Sequence, residues 1–581
     1  MSYSRLQTLG RYLRPHWQIS LLGTVSLFVV NVVGVYIPLL IRNGVDDLQD
    51  AVEFQEVGWQ VLLMVALASI MWVIRMTSRI LIFGVGRQVE FDLKQKIFNH
   101  LIFLESSYFS NSRIGDLINR ATSDVDNIRR LVGFAVLSLI NTIFAYGLTL
   151  PVMLAINIKL TILSISVYPL MLVLVQIFSG KLRDQQMEVQ EKLSDLSDLI
   201  QEDMSGISLI KIYAQETAER QAFREHNQGL LSANLKLART RNFLFPLLGG
   251  LASLSLLILL AVGNEAIAQG DLSIGDFVAL VLYVERLVFP TALLGFTITA
   301  YQRGEVSVDR VESILSIKPK IQDPPQPIPL ITPVKGWLSA RDLNYTYPAA
   351  KTPALNHVNF TILPGETVAV VGPIGSGKTT LANVIPRLLD IDIDSFFIDG
   401  QDITQLSLAQ LRKVIAYVPQ ESFLFSTTIA NNICYGNPSA LRSQIEAVAK
   451  IAQIHDEITN FPKGYDTIVG ERGITLSGGQ RQRTALARAL LCDAPILILD
   501  DALSSVDNQT ATDILYNLTS GTVRQTVLFI SHQMSATAKA DRILVMDQGT
   551  IVQTGTHDQL LQEEGLYRRL WQQHQLEQML A

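Results

Sequence analysis

In the N-terminal half of the chain the apolar positions fall in long blocks rather than short alternating runs. A helix needs about 20 apolar residues to cross roughly 30 Å of hydrocarbon. Ile19–Ile41 carries no charge over 23 residues. Val57–Ile74 is uncharged over 18, and its helical pattern runs on through Arg75 and Arg79. Leu131–Ile158 and Leu160–Gly180 are separated only by Lys159, which predicts two spans joined by a tight turn there. Asn242–Asn264 supplies a fifth block, and Phe277–Ala300, interrupted by Glu285 and Arg286, a sixth. Six spans are thus expected near 19–41, 57–80, 132–157, 160–180, 242–264 and 277–300, within an all-α domain covering 1–317. Beyond Ala300 the apolar stretches, such as Val368–Val371 and Ile496–Leu499, have only strand length.

The segments between the blocks differ sharply in charge. Residues 1–18, 83–130 and 181–241 hold three, seven and nine Lys or Arg, whereas 42–56 holds one, the turn at Lys159 one and 265–276 none. Cytoplasmic loops carry the excess of Lys and Arg, so both termini and the two long segments are expected on the cytoplasmic side. No small-residue cleavage site follows the first block, which is therefore read as a retained span. Gln88–Leu104 and Glu188–Gln201 keep apolar residues at helical spacing, so the spans are expected to continue as helices far beyond the bilayer.

Six prolines lie between Lys318 and Lys335, a density that predicts an extended linker over 318–335. From 336 to 581 short β-branched runs alternate with helical patterns, the mark of an α/β domain with a largely parallel sheet. Composition narrows the class further. With 48% hydrophobic and 17% charged residues and a mean hydropathy of +0.28, the 581-residue chain is neither disordered nor typical of a wholly soluble enzyme. A net charge of −6 without a long basic run excludes nucleic acid as a partner. Two cysteines, Cys434 and Cys492, provide no disulfide framework and no metal-ligand spacing.

The first chemical motif is Gly372-Pro-Ile-Gly375-Ser376-Gly377-Lys378-Thr379, set between the strand-like Glu366–Val371 and a helical run from Thr380. Glycines in such a loop let backbone N–H groups turn inward around phosphate oxygens. Lys378 supplies charge to the terminal phosphates, and the Thr379 hydroxyl is placed to ligate Mg²⁺. The strand Ile496–Leu499 ends in Asp500-Asp501, where a second Mg²⁺ contact is expected.

Ser477-Gly478-Gly479-Gln480, 99 residues after Lys378 and 23 before Asp500, resembles the signature of the ABC-transporter ATPases. Other pieces of that family's pattern stand in the same order. Tyr347 resembles the aromatic that stacks on adenine, and Gln420 the glutamine linking the Mg²⁺ site to the membrane domain. Gly470-Glu-Arg-Gly473 is similar to the exporter-type segment before the signature, Ser504–Asp507 to the loop crossing the dimer interface, and His532 to the switch histidine. Tyr108–Asp124 and Glu202–Glu216 look like the two cytoplasmic coupling segments of an exporter membrane domain. The resemblance implies a half-transporter that binds ATP and Mg²⁺ and dimerises. Each ATP is then held between one chain's loop, with Thr380, and the other chain's signature and Asp507. The bilayer and an amphipathic substrate are the further partners implied, in a bacterial inner membrane.

One position departs from the family. The residue after the Mg²⁺ aspartate is there a glutamate that polarises the attacking water, and here it is Asp501, one methylene shorter. The pattern resembles one half of the heterodimeric multidrug-type exporters, with slow hydrolysis at the chain's own site; a homodimer that tolerates Asp501 is the alternative. A lipid flippase on the same scaffold is also open, whereas the six spans argue against a DNA-repair type of ATPase. Glu285 and Arg286, costly in mid-span, are candidate cavity residues; the neighbouring aromatics Phe277, Tyr283, Phe289 and Phe296 are expected at lipid-facing or core positions, with cavity lining as the alternative.

Overall fold

The computed structural model describes residues 5–48, 54–348, 350–470, 473, 475–519 and 525–580. The chain divides into two compact units, Met1–Phe103 with Ser112–Ile317, and Leu104–Asn111 with Lys318–Ala581.

The first unit is all helical. A short α1 (Arg5–Leu13) precedes α2 (Trp17–Asp47) and α3 (Phe54–Ile102). The six-residue α4 (Ser106–Asn111) belongs by its contacts to the second unit. Then follow α5 (Ile114–Ile156), α6 (Ile158–Ser205), α7 (Ile207–Ile212), α8 (Glu216–Ala268) and α9 (Ile274–Leu315). Among the described residues six helices are long and apolar enough to cross a membrane. Counted with α1 running into α2 (Gln7–Asp47), the six runs have 41–53 residues, which at about 1.5 Å per residue exceed a bilayer's hydrocarbon by a wide margin, as the amphipathic extensions of the sequence required.

The turn between α5 and α6 lies at Asn157, two residues before the Lys159 position expected from the charge pattern. Asn157 adopts an extended backbone, and its side-chain oxygen accepts the Leu160 N–H at 3.0 Å. That cap satisfies a donor the new helix leaves open, so Lys159 rides in the first turn instead of making the bend. α9 starts on a reciprocal cap between Ser273 and Asp276. Arg42 of α2 pairs with Asp276 at 2.8 Å, and Asp46 accepts from Ser273 Oγ and Gly275 N–H. These bonds clamp α9 to the end of α2. Tyr283 is buried in the bundle core with its hydroxyl donating to the Val35 carbonyl, while Phe289 is exposed and Phe277 and Phe296 are half-buried.

The second unit carries two sheets. Four antiparallel strands run in the order β2 (Leu355–Ile362), β1 (Leu338–Tyr345), β4 (Phe396–Ile398), β5 (Gln401–Asp402). Six more run β10 (Thr550–Gly555), β9 (Arg542–Asp547), β3 (Thr367–Val371), β8 (Thr526–Ile530), β7 (Ile496–Asp500), β6 (Ile415–Val418), parallel except for β10. β3, β7 and β8 are buried at every position, as strands covered on both faces must be. The separate antiparallel sheet was not anticipated, although β2 alternates buried and outward positions as a one-faced strand does. The proline-rich stretch makes specific backbone contacts. Ile328 N–H donates to the Gln405 carbonyl and Lys335 N–H to Asp399, which strap the segment along the β4–β5 hairpin.

Candidate functional site

The site grows from the C-terminal ends of the parallel strands. β3 runs into the loop 372–377, and α10 (Lys378–Val384) leaves it. Gly372 and Gly377 have φ of +153° and +97°, and a Cβ at either would collide with a neighbouring carbonyl, of Met546 or Ala354. Only glycine permits this tight, N–H-lined curve. Lys378 Nζ lies inside it, donating to the Gly372 and Pro373 carbonyls at 2.8 and 2.7 Å and to Ser376 Oγ at 3.3 Å. Burial draws the lysine below its ordinary pKa, and Asp501 and Asp500 pull it back.

β7 lies two strands from β3 and brings Asp500 to the loop's edge. Thr379 Oγ1 donates to Asp500 Oδ1 at 3.1 Å, which sets a hydroxyl and a carboxylate side by side as a Mg²⁺ site needs. Tyr417 on β6 donates to Asp500 Oδ2 at 3.4 Å and to Asn383 Oδ1 at 2.9 Å. Burial raises the Asp500 pKa, while these bonds and the Lys378 charge act the other way. Asp501 is also buried and raised by desolvation, with the His532 and Lys378 charges acting the other way. Its backbone is left-handed (φ +49°), and its Oδ1 is buried without a hydrogen-bond partner among the described atoms. Tyr347, half a turn of loop past β1, bonds Thr380 through its hydroxyl at 3.2 Å and keeps its ring partly exposed. Gln420 and His532 sit exposed just beyond β6 and β8. Lys378, Thr379, Thr380, Tyr347, Asp500, Asp501 and His532 are thus linked round one loop, whereas Gln420 is placed only by its position after β6.

The signature stands apart, at the start of α11 (Gly478–Leu490). Ser477 Oγ accepts the Gln480 N–H, and Gln480 Oε1 accepts the Ser477 N–H in return. Gln480 also donates to Glu457, which pairs with Arg483. Gly479 faces the Ser505 carbonyl so closely that a Cβ would clash with it. Asp507 caps α12 (Asn508–Thr519) by accepting the Thr510 N–H. Glu471 and Arg472 lie outside the described residues.

Sequence reasoning missed three positions. Besides Tyr417, Gln482 is buried on α11, donates to Ser504 Oγ and accepts the Ser505 N–H. Gln533, next to His532, donates to the Leu503 and Val506 carbonyls. Together Gln482 and Gln533 fasten the 501–507 loop to both the signature helix and the end of β8. No local motif marks them.

The residues fit a nucleoside triphosphate with Mg²⁺: a donor-lined loop with an internal lysine, and a hydroxyl–carboxylate pair at its rim. The family model of the ABC transporter transmembrane region matches residues 20–291, and that of the ABC transporter matches 355–504. The chain is 34% identical over 578 residues to the multidrug resistance-like ATP-binding protein MdlA of Escherichia coli, covering 98% of this chain and 97% of the relative. This chain belongs to the ABC transporter family. The probable multidrug resistance ABC transporter protein YheI of Bacillus subtilis is 32% identical, covering 99% and 98%. An ATP-dependent lipid A-core flippase of Desulfotalea psychrophila is 34% identical, covering 88% and 89%. Among solved structures, a bacterial Atm1-family ABC exporter with ATP bound superposes with a TM-score of 0.76 at 26% identity, over 97% and 99% of the two chains. The ABC transporter described here is a multi-pass membrane protein that binds ATP with Mg²⁺ and couples its hydrolysis to export.

Proposed function

We propose that the chain is one half of a heterodimeric exporter of amphipathic molecules in a bacterial inner membrane, with a slow ATP site on its own phosphate loop. Asp501 carries the proposal. Its carboxylate stops one methylene short of the family's glutamate, while Lys378, Thr379 and Asp500, the groups proposed to bind the nucleotide and Mg²⁺, are retained. In this scheme the loop residues from Gly372 to Thr380 hold the phosphates and Tyr347 the base. Thr379, Asp500 and Gln420 hold Mg²⁺, while Asp501 and His532 act on the attacking water. Ser477–Gln480 and Asp507 complete the partner's site. The Lys and Arg bias of the connecting segments supports cytoplasmic termini. Leu209 and Ile212 on α7 are largely exposed apolar residues, the kind of tip a second half covers. Because two relatives are named for multidrug resistance and another for lipid A-core, the cargo class is amphipathic. A homodimeric lipid flippase is the second reading, favoured by that flippase relative.

Co-expressing two copies of the chain under different affinity tags tests the pairing. The expected outcome is little capture of one tag through the other; stoichiometric self-pairing with brisk turnover would replace the heterodimer with a homodimer.

The same site predicts a pH dependence. A carboxylate whose pKa is raised by burial becomes protonated at a higher pH than usual as the solution is acidified, and the protonated acid cannot polarise water. The acid limb of single-turnover hydrolysis is therefore expected above the roughly pH 4 of an ordinary aspartate. Asp501→Asn should remove that limb along with most of the rate. A limb that persists unchanged in the variant would assign it elsewhere.

A further inference from the structure

Two cavities in the membrane domain share one face of α9. The first, about 510 Å³, is lined by Arg75, Arg79, Glu285, Arg286 and Phe289, with Asn31 on its wall. The second, about 270 Å³, is lined by Arg130, Arg183, Phe296 and Arg303. Arg286, Phe289, Leu293, Phe296, Ala300 and Arg303 follow one another at steps of three or four, so they form a single stripe along the helix. That stripe is apolar in the middle and ends in a guanidinium at each cavity. Arg286 and Arg303 are seventeen residues apart, about 25 Å of helix rise. Counted from Phe277, Arg286 falls near the bilayer centre, and Arg303 beyond the roughly 30 Å of hydrocarbon, at headgroup depth.

The inner cations lack counter-charges. Arg286 reaches only neutral oxygens of Asn31, its Nε is buried without a partner, and Gly34 leaves the space its guanidinium fills. Glu285 makes no ion pair with Arg75, Arg79 or Arg286 among the described residues, and three cations against one acid leave an excess of two positive charges. In the second cavity Arg130 pairs with Asp126 and Arg183 loosely with Asp184, whereas Arg303 has no ion pair among the described residues. Ser179 Oγ, on that wall, is buried without a hydrogen-bond partner. Unpaired cations in hydrocarbon are costly, and a second copy of this chain would add more positive charge rather than cancel it.

We infer that the exported molecule is an amphipathic anion, whose acidic headgroup is held first at Arg303, Arg130 and Arg183 and then at Arg286, Arg75 and Arg79. Its tail lies along Phe289, Leu293 and Phe296. The inference rests on the export reading above and narrows its cargo. Phosphate, sulfate and carboxylate heads share the chemistry, because a guanidinium fork donates charge-assisted hydrogen bonds to the oxygens of each.

The test uses the full-length transporter in nanodiscs of zwitterionic lipid without nucleotide. Binding of dodecyl phosphate, dodecyltrimethylammonium, dodecyl maltoside and inorganic phosphate is followed by intrinsic fluorescence, and stimulation of ATP turnover by each is recorded in parallel. Dodecyl phosphate is expected to bind at least about tenfold more tightly than the cationic and neutral amphiphiles. Inorganic phosphate, lacking a tail, should bind far more weakly; equal binding would point to a free-anion site and overturn the amphiphile assignment. Arg286→Met should remove the preference and Arg286→Lys largely keep it. Arg303→Gln should slow loading while leaving the equilibrium preference. The wild-type preference needs no variant, so a misfolded substitution does not blunt the test. Equal or tighter binding of the cationic amphiphile would overturn the inference but leave export intact. If no amphiphile binds or alters turnover, the amphipathic-cargo reading under the proposed function itself fails.

Discussion

Replacing Asp501 with glutamate should raise ATP turnover about 10²-fold. Asp501 directly follows a strand buried along its whole length, so its backbone cannot move toward the nucleotide to compensate for a short side chain. Asp501 N–H donates to the Ile530 carbonyl, and Gln482 and Ser504 bond around the residue's own carbonyl. The loop is thus held on three sides. Oδ1 finds no partner among the described atoms, and a glutamate would carry its carboxylate farther into the site. A displacement of about 1 Å from productive geometry costs on the order of 10²-fold in rate, and the substitution should recover that factor. The measurement is phosphate release from the reconstituted dimer, with the companion's site silenced where the companion is a different chain. Nucleotide affinity should stay within a few-fold, because Lys378, Thr379 and Asp500 are untouched. Unchanged or lowered turnover would mean that Asp501 already polarises water adequately, and the slow-site proposal would fall.

Lys378→Ala should abolish measurable turnover and most ATP binding. The ammonium faces Asp500 and Asp501, and both carboxylates are pushed toward protonation by burial. Removing it leaves two buried acids opposite a polyanionic ligand, so the loss combines a missing attraction with a new repulsion. Deleting one preorganised donor at a reacting centre typically costs about 10²–10³-fold, and here a full charge goes with it. Lys378→Arg should not rescue binding. Nζ already contacts two carbonyls and Ser376 Oγ inside the glycine loop, and a planar guanidinium exceeds that space. Fluorescent-ATP titration and phosphate release read both variants. Retention of near-normal binding by Lys378→Ala would place the phosphate contacts on the backbone N–H groups alone.

Some of the fold was legible because its signals are local. A run such as Ile19–Ile41 has to be buried in lipid or protein whatever the rest of the chain does. The amphipathic spacing in Glu188–Gln201 likewise specifies a helix, and it continues α6 to Ser205. Other details depended on a competition the charge pattern does not record. The charge pattern marks Lys159 as the turn, yet Asn157 wins because its side chain can cap a helix and lysine's cannot. Proline content alone predicts the linker. Its strapping to the β4–β5 hairpin depends on Asp399 and Gln401, which lie far along the chain.

The sequence by itself determined the class of molecule: six apolar blocks, a glycine loop with Lys378 and Thr379, and the Asp500-Asp501 pair. Each is a contiguous pattern whose chemistry is carried by neighbours in the chain. Only the tertiary structure decided how those patterns meet. Tyr417 reaches Asp500 because β6 and β7 pair in parallel, and Gln482 ties the signature helix to the loop after Asp501. In the membrane domain, Arg75 and Arg286 are isolated charges in separate spans until helix packing places them on one cavity wall. Burial and counter-charge are properties of that packed space, and no window of consecutive residues contains them.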